Sequence, residues 1–207
     1  MSVFIIRHAK SVANEENLYG TDKPLSPEGE MQARRSGLKV LIKPDFIFTS
    51  TLTRAFQTAK LLYPDAQEIK CLSLFNEINF GELEGKEINP IVDKQITIKP
   101  ELIKEWYHGD DIWERAKAAK ELLDRFEACF EKDVTVVVVL HGTLFEAMLH
   151  LVNGGKTKIW DEPDCYLKNC QAFDWSAFIA NPEENPAKFK IDSDKIVSFD
   201  GGANYEK

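Results

Sequence analysis

The sequence has no long hydrophobic run. Its densest apolar stretch, residues 134–140, contains seven residues, whereas a membrane-spanning helix needs about 20. Near the N-terminus only four consecutive apolar residues precede Arg7, too few for the core of a signal peptide. We therefore expect no membrane partner and no export signal.

Cysteines and metal-binding motifs are also scarce. The four cysteines form no CxxC pair, and they are Cys71, Cys129, Cys165 and Cys170. Without an export signal, reduced thiols in the cytoplasm are the expected state. The sequence has no HxH or HExxH motif and no paired carboxylates at metal-ligand spacing, so we expect no metal site and no other cofactor.

Positive charge is the third shortage. The chain has 34 Asp and Glu residues against 26 Lys and Arg residues, which gives a formal net charge of −8. Nucleic acids and anionic membranes attract basic surfaces, so this balance argues against both as partners. A small anionic substrate is still compatible with it, because one basic pocket can form on an acidic protein.

The composition is typical of one globular domain. Of the 207 residues, 43% are hydrophobic and 29% are charged, which is enough apolar material to bury a core. Domains commonly have about 100–200 residues, and no repeat, low-complexity tract or Gly/Ser linker divides this chain. We therefore predict a single domain over residues 1–207. No feature predicts an oligomeric state.

Strand patterns alternate with helix patterns along the chain. β-Branched and aromatic runs predict strands at 3–7, 46–49, 69–72 and 134–140. Apolar spacing and cap residues predict helices from 26 to before Pro44, and at 52–62, 112–131 and 143–152. This alternation predicts an α/β fold, a three-layer sandwich with helices flanking a mostly parallel central sheet.

Two regions lack a clear pattern. Residues 76–112 contain glycines and prolines without a regular apolar period, so we predict irregular structure there and a substrate-facing insertion around 82–115. Beyond the last predicted helix, alternating apolar residues between 189 and 199 predict hairpin strands.

Arginine and histidine follow three of the predicted strands. The first strand ends in Arg7-His8, Arg54 comes one helical turn after the second, and His141-Gly142 follows the most apolar strand. In open α/β sheets, ligands bind beyond the carboxyl ends of the strands. We therefore expect these side chains, which are distant in sequence, to meet in one crevice.

Such a cluster suits phosphoryl chemistry. Arginine presents a planar fork of donors that matches phosphate oxygens and stays charged, and a neutral imidazole beside it is a competent nucleophile toward phosphorus. The departing oxygen also needs an acid. Glu77, Glu82 and Glu84 all qualify by spacing alone.

These residues together resemble the signature of the histidine phosphatase superfamily, the phosphoglycerate mutase-like proteins. Ala9 stands where the family's Arg-His-Gly signature has glycine. The motifs follow the family's order between residues 3 and 142, and they are Arg7-His8-Ala9, Asn14, residues 50–59, Glu77 with residues 80–85, and residues 139–142. The resemblance implies a phosphoglycerate mutase-like α/β fold.

The resemblance also implies roles for individual residues. His8 would be the nucleophile that carries a transient phosphohistidine. Glu77, among the three glutamates, would give a proton to the leaving oxygen and later help to activate water. A metal ion would not be required, because arginine side chains take its electrostatic role.

The phosphoryl-binding residues are implied in the same way. Arg7, Arg54 and His141 would clamp the phosphoryl oxygens, and they count among the catalytic residues as well. Asn14 would be an additional neutral donor, and Gly142 would belong to the same binding site.

Three functions are compatible with this signature. The first is hydrolysis of a small phosphomonoester, which the chain length and the segment at residues 80–85 favour. The second is a phosphoglycerate-type phosphomutase, which returns the phosphoryl group to another hydroxyl. The third is a non-catalytic, phospholigand-binding regulatory protein, although binding alone would need neither His8 nor an acid.

The sequence departs from the family at several positions. Ala9 replaces glycine, which would be unfavourable if the position required a positive φ, and Lys10 is expected to add positive charge near the pocket mouth. The family's Gly-Glu-Ser segment is absent, and residues 109–111 read Gly-Asp-Asp instead. His108 and His150 belong to no motif, and we expect them at the surface or in packing contacts.

Overall fold

A six-stranded sheet forms the centre of the protein. The structure, a computed structural model, describes residues 1–154 and 166–193. The strands are β1 Ser2–Arg7, β2 Phe46–Thr49, β3 Lys70–Cys71, β4 Thr135–Leu140, β5 Ala172–Asp174 and β6 Lys190–Ile191. They lie in the order β3-β2-β4-β1-β5-β6. The first four run parallel, β5 is antiparallel to β1, and β6 is antiparallel to β5. The predicted mostly parallel sheet is confirmed.

Helices connect most of these strands. They are α1 Val12–Glu15, α2 Pro27–Arg35, α3 Leu38–Leu41, α4 Thr53–Leu62, α5 Pro90–Ile98, α6 Leu102–Tyr107, α7 Ile112–Cys129, α8 Gly142–Val152 and α9 Trp175–Ala180. Short 3₁₀ turns occur at Ser73–Phe75, Gly81–Leu83 and Pro186–Phe189. Within residues 1–154 and 166–193, no helix combines the length and the apolar character that crossing a membrane requires.

The helices cover both faces of the sheet. Successive residues of β4 point into two separate cores, with Val136 and Val138 in one and Val137 and Val139 in the other. Helices α7 and α8 contribute to the first core, and α2, α3 and α4 contribute to the second. Strand β4 is thus buried on both faces, which explains its uninterrupted apolar sequence. The predicted three-layer arrangement is confirmed.

The helix predicted from residue 26 to before Pro44 is wrong in its length, because two helices replace it. Helix α2 ends at Arg35, and Ser36 adopts an extended conformation. The Oγ of Ser36 accepts a hydrogen bond from Leu38 N at 3.2 Å, and Gly37 N donates to the carbonyl of Ser193. Serine competes in this way with helical hydrogen bonds, so the chain turns before α3 begins.

The irregular structure predicted for residues 76–112 is also wrong in part, because α5 and α6 lie within it. Asn89 caps α5 by accepting a hydrogen bond from Ile91 N at 2.9 Å, and Pro90 occupies the first helical position. Helix α6 ends at His108, whose φ of 56° is left-handed. Local capping produces these short helices without the long apolar period that sequence patterns detect.

The predicted tail hairpin is only partly correct. Ile191 lies in β6, but Phe189 ends a 3₁₀ turn, and the partner of β6 is β5 rather than a following strand. Strand β5 has only three residues, too few to give an alternating pattern. The predicted strand residues 196–199 lie outside the described part of the chain.

Candidate active site

The carboxyl ends of β1, β2 and β4 meet at one edge of the sheet. Arg7 is the last residue of β1, Arg54 lies in the first turn of α4 after β2, and His141 directly follows β4. Arg54 Nε is 3.2 Å from His8 Nε2, and the ring centroids of the two histidines are 5.0 Å apart. The structure therefore brings the four predicted strand-end side chains into one buried cluster.

The hydrogen bonds of His8 define which ring nitrogen can react. Its Nδ1 is 2.7 Å from the carbonyl oxygen of Ala9. Because a carbonyl only accepts, Nδ1 carries the proton and Nε2 keeps a lone pair, which accepts the N–H of Arg54. Burial, followed by the charges of Arg54 and Arg7, holds the pKa of His8 well below its usual value of 6.5. The imidazole is therefore neutral at physiological pH.

Arg7 is held between an aromatic ring and a glycine. Its Cζ lies 4.6 Å from the ring centroid of Tyr166, and its Nη1 donates to the carbonyl of Leu167 at 2.7 Å. A Cβ on Gly142 would lie 3.2 Å from the Cζ of Arg7. Gly142 therefore makes room for the guanidinium rather than lining the cavity itself.

Arg54 is almost completely buried and anchored at both ends. Its Nε contacts His8, and its Nη1 donates to the carbonyl of Thr21 at 2.7 Å. Burial lowers the pKa of Arg54, and nearby carboxylates oppose this shift, with Glu77 having the largest effect. Since arginine stays charged in proteins, a fixed positive charge lies beside the Nε2 of His8.

His141 forms a hydrogen bond with Ser50 behind the cavity wall. Its Nε2 lies 2.7 Å from Ser50 Oγ, which also accepts a hydrogen bond from Leu52 N at 3.2 Å. We assign the hydroxyl proton of Ser50 to its bond with Nε2, and this assignment puts the ring proton on Nδ1. Burial and the charge of Arg54 hold the pKa of His141 well below 6.5. Among the described residues, Nδ1 has no hydrogen-bond partner.

Glu77 lies at the N-terminus of α8. Its two carboxylate oxygens accept hydrogen bonds from Thr143 N at 3.2 Å and Leu144 N at 2.9 Å, and one also accepts from Ile78 N at 3.0 Å. Three backbone amides therefore fix the position of this carboxylate at the start of the helix. This carboxylate faces the same space as His8.

The other two candidate acids have different surroundings. Glu82 is exposed, and its carboxylate is 3.7 Å from the ring of exposed His108. Glu84 accepts hydrogen bonds from Phe80 N and Thr21 N, and these bonds fix the local loop. Only Glu77 of the three lines the cavity that contains His8.

Two adjoining cavities open at this edge. We call them the His8 cavity, with a volume of about 310 Å³, and the side cavity, with a volume of about 300 Å³. Gly20, Arg54 and Glu77 line both. The His8 cavity is also lined by Arg7, His8, Ser11, Ala13, Asn14, Leu18, Tyr19, Phe80, Ile88, Asp93, Thr143 and Tyr166. Within the described residues, no three His, Cys, Asp or Glu side chains are grouped to hold a metal ion.

Asn14 lines this cavity, as its predicted role requires. Its Oδ1 accepts a hydrogen bond from Ser11 N at 3.0 Å, and Ser11 in turn caps α1. The short helix α1 therefore fixes the position of the amide beside the cavity. Residues 82–115, predicted to face the substrate, contribute Ile88 and Asp93 to the wall.

The family departures at residues 9 and 10 have different consequences. Ala9 has no positive φ, and its N–H donates to Thr58 Oγ1 at 2.9 Å, so alanine fits without strain. Lys10 does not line the His8 cavity or the side cavity. Its Nζ lies 2.6 Å from Glu28 and 3.9 Å from Glu15, so its charge is paired with carboxylates, and an effect at the cavity mouth stays a prediction.

Several wall residues were not predicted from the sequence. Ser50 stood within a motif, but only the structure shows its bond to His141. Tyr166, Asp93 and Thr143 lie in segments or at positions without a recognisable signal, and long-range folding places them in the wall. By contrast, His150 packs against a tryptophan ring at 4.7 Å, in agreement with the packing role expected for it.

The fold has three layers, and a histidine lies beside two buried arginines at the carboxyl edge of its parallel strands. These features define an α/β protein with a cavity that can bind an anionic group at its arginines. Residues 3–175 match the histidine phosphatase superfamily (branch 1). The chain belongs to this superfamily, and the fold and family expected from the motifs are confirmed.

Relatives of the chain include mutases and phosphatases. It is 37% identical over 118 residues to the 2,3-bisphosphoglycerate-dependent phosphoglycerate mutase 2 of Lactobacillus johnsonii, a match that covers 52% of the chain and 50% of that protein. The chain thus spans about half the length of that relative. It is 27% identical over 168 residues to the uncharacterized phosphatase PhoE of Bacillus subtilis, covering 76% of the chain and 80% of that protein.

The fold is also similar to that of solved structures. The phosphoglycerate mutase of Bacillus anthracis superposes with a TM-score of 0.69 at 21% identity, covering 89% of this chain and 97% of that one. At this identity the likeness concerns the fold alone.

Proposed function

We propose that the protein is a phosphomonoester hydrolase that forms a phosphohistidine intermediate on His8. The observation that carries this proposal is the neutral His8 ring, whose Nε2 lone pair lies next to Arg54 in the cavity that Arg7 also lines. A nucleophile between two fixed cations suits attack on a phosphoryl group whose oxygens bear the developing charge.

The reaction proceeds in two steps. In the first, Nε2 of His8 attacks phosphorus, the bond to the leaving oxygen breaks, and this oxygen takes a proton from the protonated Glu77 carboxyl group. In the second, water attacks phosphorus and gives a proton to the Glu77 carboxylate, the P–N bond breaks, and inorganic phosphate leaves. Both His8 and Glu77 return to their starting states.

The surrounding residues stabilise the transferring group. Because Nε2 has only one lone pair, the Nε–H of Arg54 must turn from His8 to a phosphoryl oxygen when the substrate binds. Arg7, the amide of Asn14 and the Nδ1–H of His141 complete the set of donors. These side chains supply the electrostatic role of a metal ion, so the proposal includes no metal or other cofactor.

Backbone amides hold Glu77 at the wall of the His8 cavity, where its carboxyl group can exchange a proton with the leaving oxygen and then with water. A small phosphorylated substrate fits the cavity volume of about 310 Å³.

A phosphomutase is the second candidate, because the chain is similar to a phosphoglycerate mutase over about half of its length. It would use the same first step and then transfer the phosphoryl group to another hydroxyl instead of water. The two candidates therefore differ in the acceptor. A non-catalytic role as a phospholigand-binding protein would make both His8 and Glu77 superfluous.

The proposal is tested with p-nitrophenyl phosphate in EDTA. We expect the wild type to release p-nitrophenol and phosphate in equal amounts, and His8→Ala to abolish this turnover and the labelled phosphoenzyme. His108→Asn is the matched control, since His108 is exposed and has a left-handed φ that asparagine tolerates. Full activity in His8→Ala would overturn the mechanism, and inhibition by EDTA would show that a metal takes part.

A further inference from the structure

The wall of the His8 cavity has two chemically different parts. Arg7, His8 and Arg54 form the basic part. A second part, which we call the Tyr19 wall, consists of Leu18, Tyr19, Phe80, Ile88 and Asp93. In it, the rings of Tyr19 and Phe80 are 5.5 Å apart, and the Tyr19 hydroxyl lies 3.5 Å from Asp93. The Tyr19 wall is therefore mainly apolar and aromatic, with one carboxylate at its edge.

The carboxylate of Asp93 has no cationic partner among the described residues, and the one hydrogen bond it accepts there comes from Tyr19. Burial and the charge of Asp93 raise the pKa of Tyr19 to about 12, so this tyrosine stays protonated and donates. Partial burial also raises the pKa of Asp93, while the bond from Tyr19 lowers it. An unpaired carboxylate beside a ligand cavity is a charge that a ligand can complement.

The described cations near the cavity are already committed. Arg7 and Arg54 face the phosphoryl position. Arg115 of the side cavity donates to the carbonyls of Ser73 and Asn76 and lies 3.2 Å from Asp110. A leaving group bound next to the phosphoryl position would thus lie near carboxylates. No described cation near the cavity would be available to pair with it.

We propose that the substrate's leaving group is uncharged or cationic, packs an apolar or aromatic portion against the Tyr19 wall, and is selected by Asp93. This inference rests on the proposed hydrolase function and names its substrate class. Anionic leaving groups, such as carboxylated or further phosphorylated alcohols, are discriminated against by like-charge repulsion at Asp93. Asp93 is a specificity-determining residue and takes no part in the chemical steps.

Three aryl phosphates whose para substituents differ chiefly in charge test this inference. They are the phosphates of 4-(aminomethyl)phenol, 4-(hydroxymethyl)phenol and 4-(carboxymethyl)phenol, in which a methylene separates the charge from the leaving oxygen. We expect kcat/KM at pH 7 to fall from the cationic to the neutral to the anionic ester, by about two- to fivefold per step, the range of an exposed charge pair. Asp93→Asn should flatten this order and Asp93→Lys should reverse it.

The matched control is Asp124→Asn, which changes net charge equally on the exposed surface of α7 and should keep the wild-type order. The inference would be overturned if the wild type had equal kcat/KM values for the three esters, or if Asp93→Asn kept the wild-type order. Either result would leave the hydrolase proposal intact. Failure of the wild type to turn over any ester or to form a phosphoenzyme would overturn the hydrolase proposal, and this inference with it.

Discussion

The two central histidines differ in the ring nitrogen that is left free. In His8 the carbonyl of Ala9 occupies Nδ1, so Nε2 is the reactive atom. In His141 the hydroxyl of Ser50 occupies Nε2, so Nδ1 becomes the donor. Both rings are neutral because burial and the nearby arginines lower their pKa values. In the proposed mechanism, the same residue type would thus serve as nucleophile in one position and as hydrogen-bond donor in the other.

We expect Ser50→Ala to release His141 from a single tautomer. The ring would then populate both protonation sites, and kcat should fall about ten- to hundredfold, less than the 100- to 1000-fold loss typical of deleting a transition-state donor. Nitrogen-15 spectra of the histidines report the tautomer directly. In the wild type, Nδ1 of His141 should be protonated and Nε2 should be of the acceptor type, and in the variant the two should become more alike.

Repeating Ser50→Ala in a His141→Ala variant distinguishes a role of Ser50 in positioning His141 from a general structural role. If Ser50 acts only through His141, Ser50→Ala should cause no further loss of kcat when His141 is already alanine, and the two effects should be strongly non-additive. A protonated Nε2 in the wild type, or additive losses, would show that Ser50 has another role.

At the scale of elements, the N-terminus of α8 organises the site. It begins next to His141, its first residue makes room for Arg7, and its next two amides bind Glu77. The strand order places β4 beside both β1 and β2, so this one helix start contacts groups carried by three parts of the chain. A small change there should affect catalysis more than stability.

Gly142→Ala tests this arrangement. The added methyl group would lie 3.2 Å from Arg7 Cζ, so the guanidinium must shift by a few tenths of an ångström. We expect kcat/KM to fall about tenfold, since a misplacement of 1 Å can cost about 100-fold. The melting temperature should stay the same or rise slightly, because alanine favours a helix. An unchanged kcat/KM would show that the Arg7 guanidinium can shift without loss of activity.

The sequence predicted the parts of this site that lie at strand ends or in the first turn of the helix that follows. Arg7, Arg54 and His141 were predictable because an apolar strand followed by a charged residue is a local signal, and parallel pairing brings such ends together. Asp93 and Tyr166 were not, because one lies on a short capped helix and the other in a loop. Their neighbours are decided by the packing of distant segments, which no periodicity in the sequence records.

At the scale of the whole molecule, the chain is acidic overall, but two of its positive charges are buried at the site. The chain carries a formal net charge of −8, yet Arg7 and Arg54 are buried side by side. Burial, followed by the charges of the nearby arginines, holds the pKa values of His8 and His141 well below their usual value. Folding therefore places two neutral histidines where the unfolded chain would protonate them below about pH 6.5.

This burial predicts acid sensitivity. Because the pKa values of His8 and His141 are lowered by folding, the unfolded state binds more protons below pH 6.5. The free energy of unfolding should thus decrease with falling pH, by up to about 1.4 kcal/mol per pH unit for each histidine, until the folded pKa values are reached.

Urea unfolding between pH 7.5 and 5 measures this pH dependence of the free energy of unfolding. The double variant His8→Gln/His141→Gln should show a flatter dependence, whereas His108→Asn, at an exposed site, should keep the wild-type slope. Equal slopes in the wild type and the double variant would contradict this account, because the carboxylates common to both would then carry the whole pH dependence.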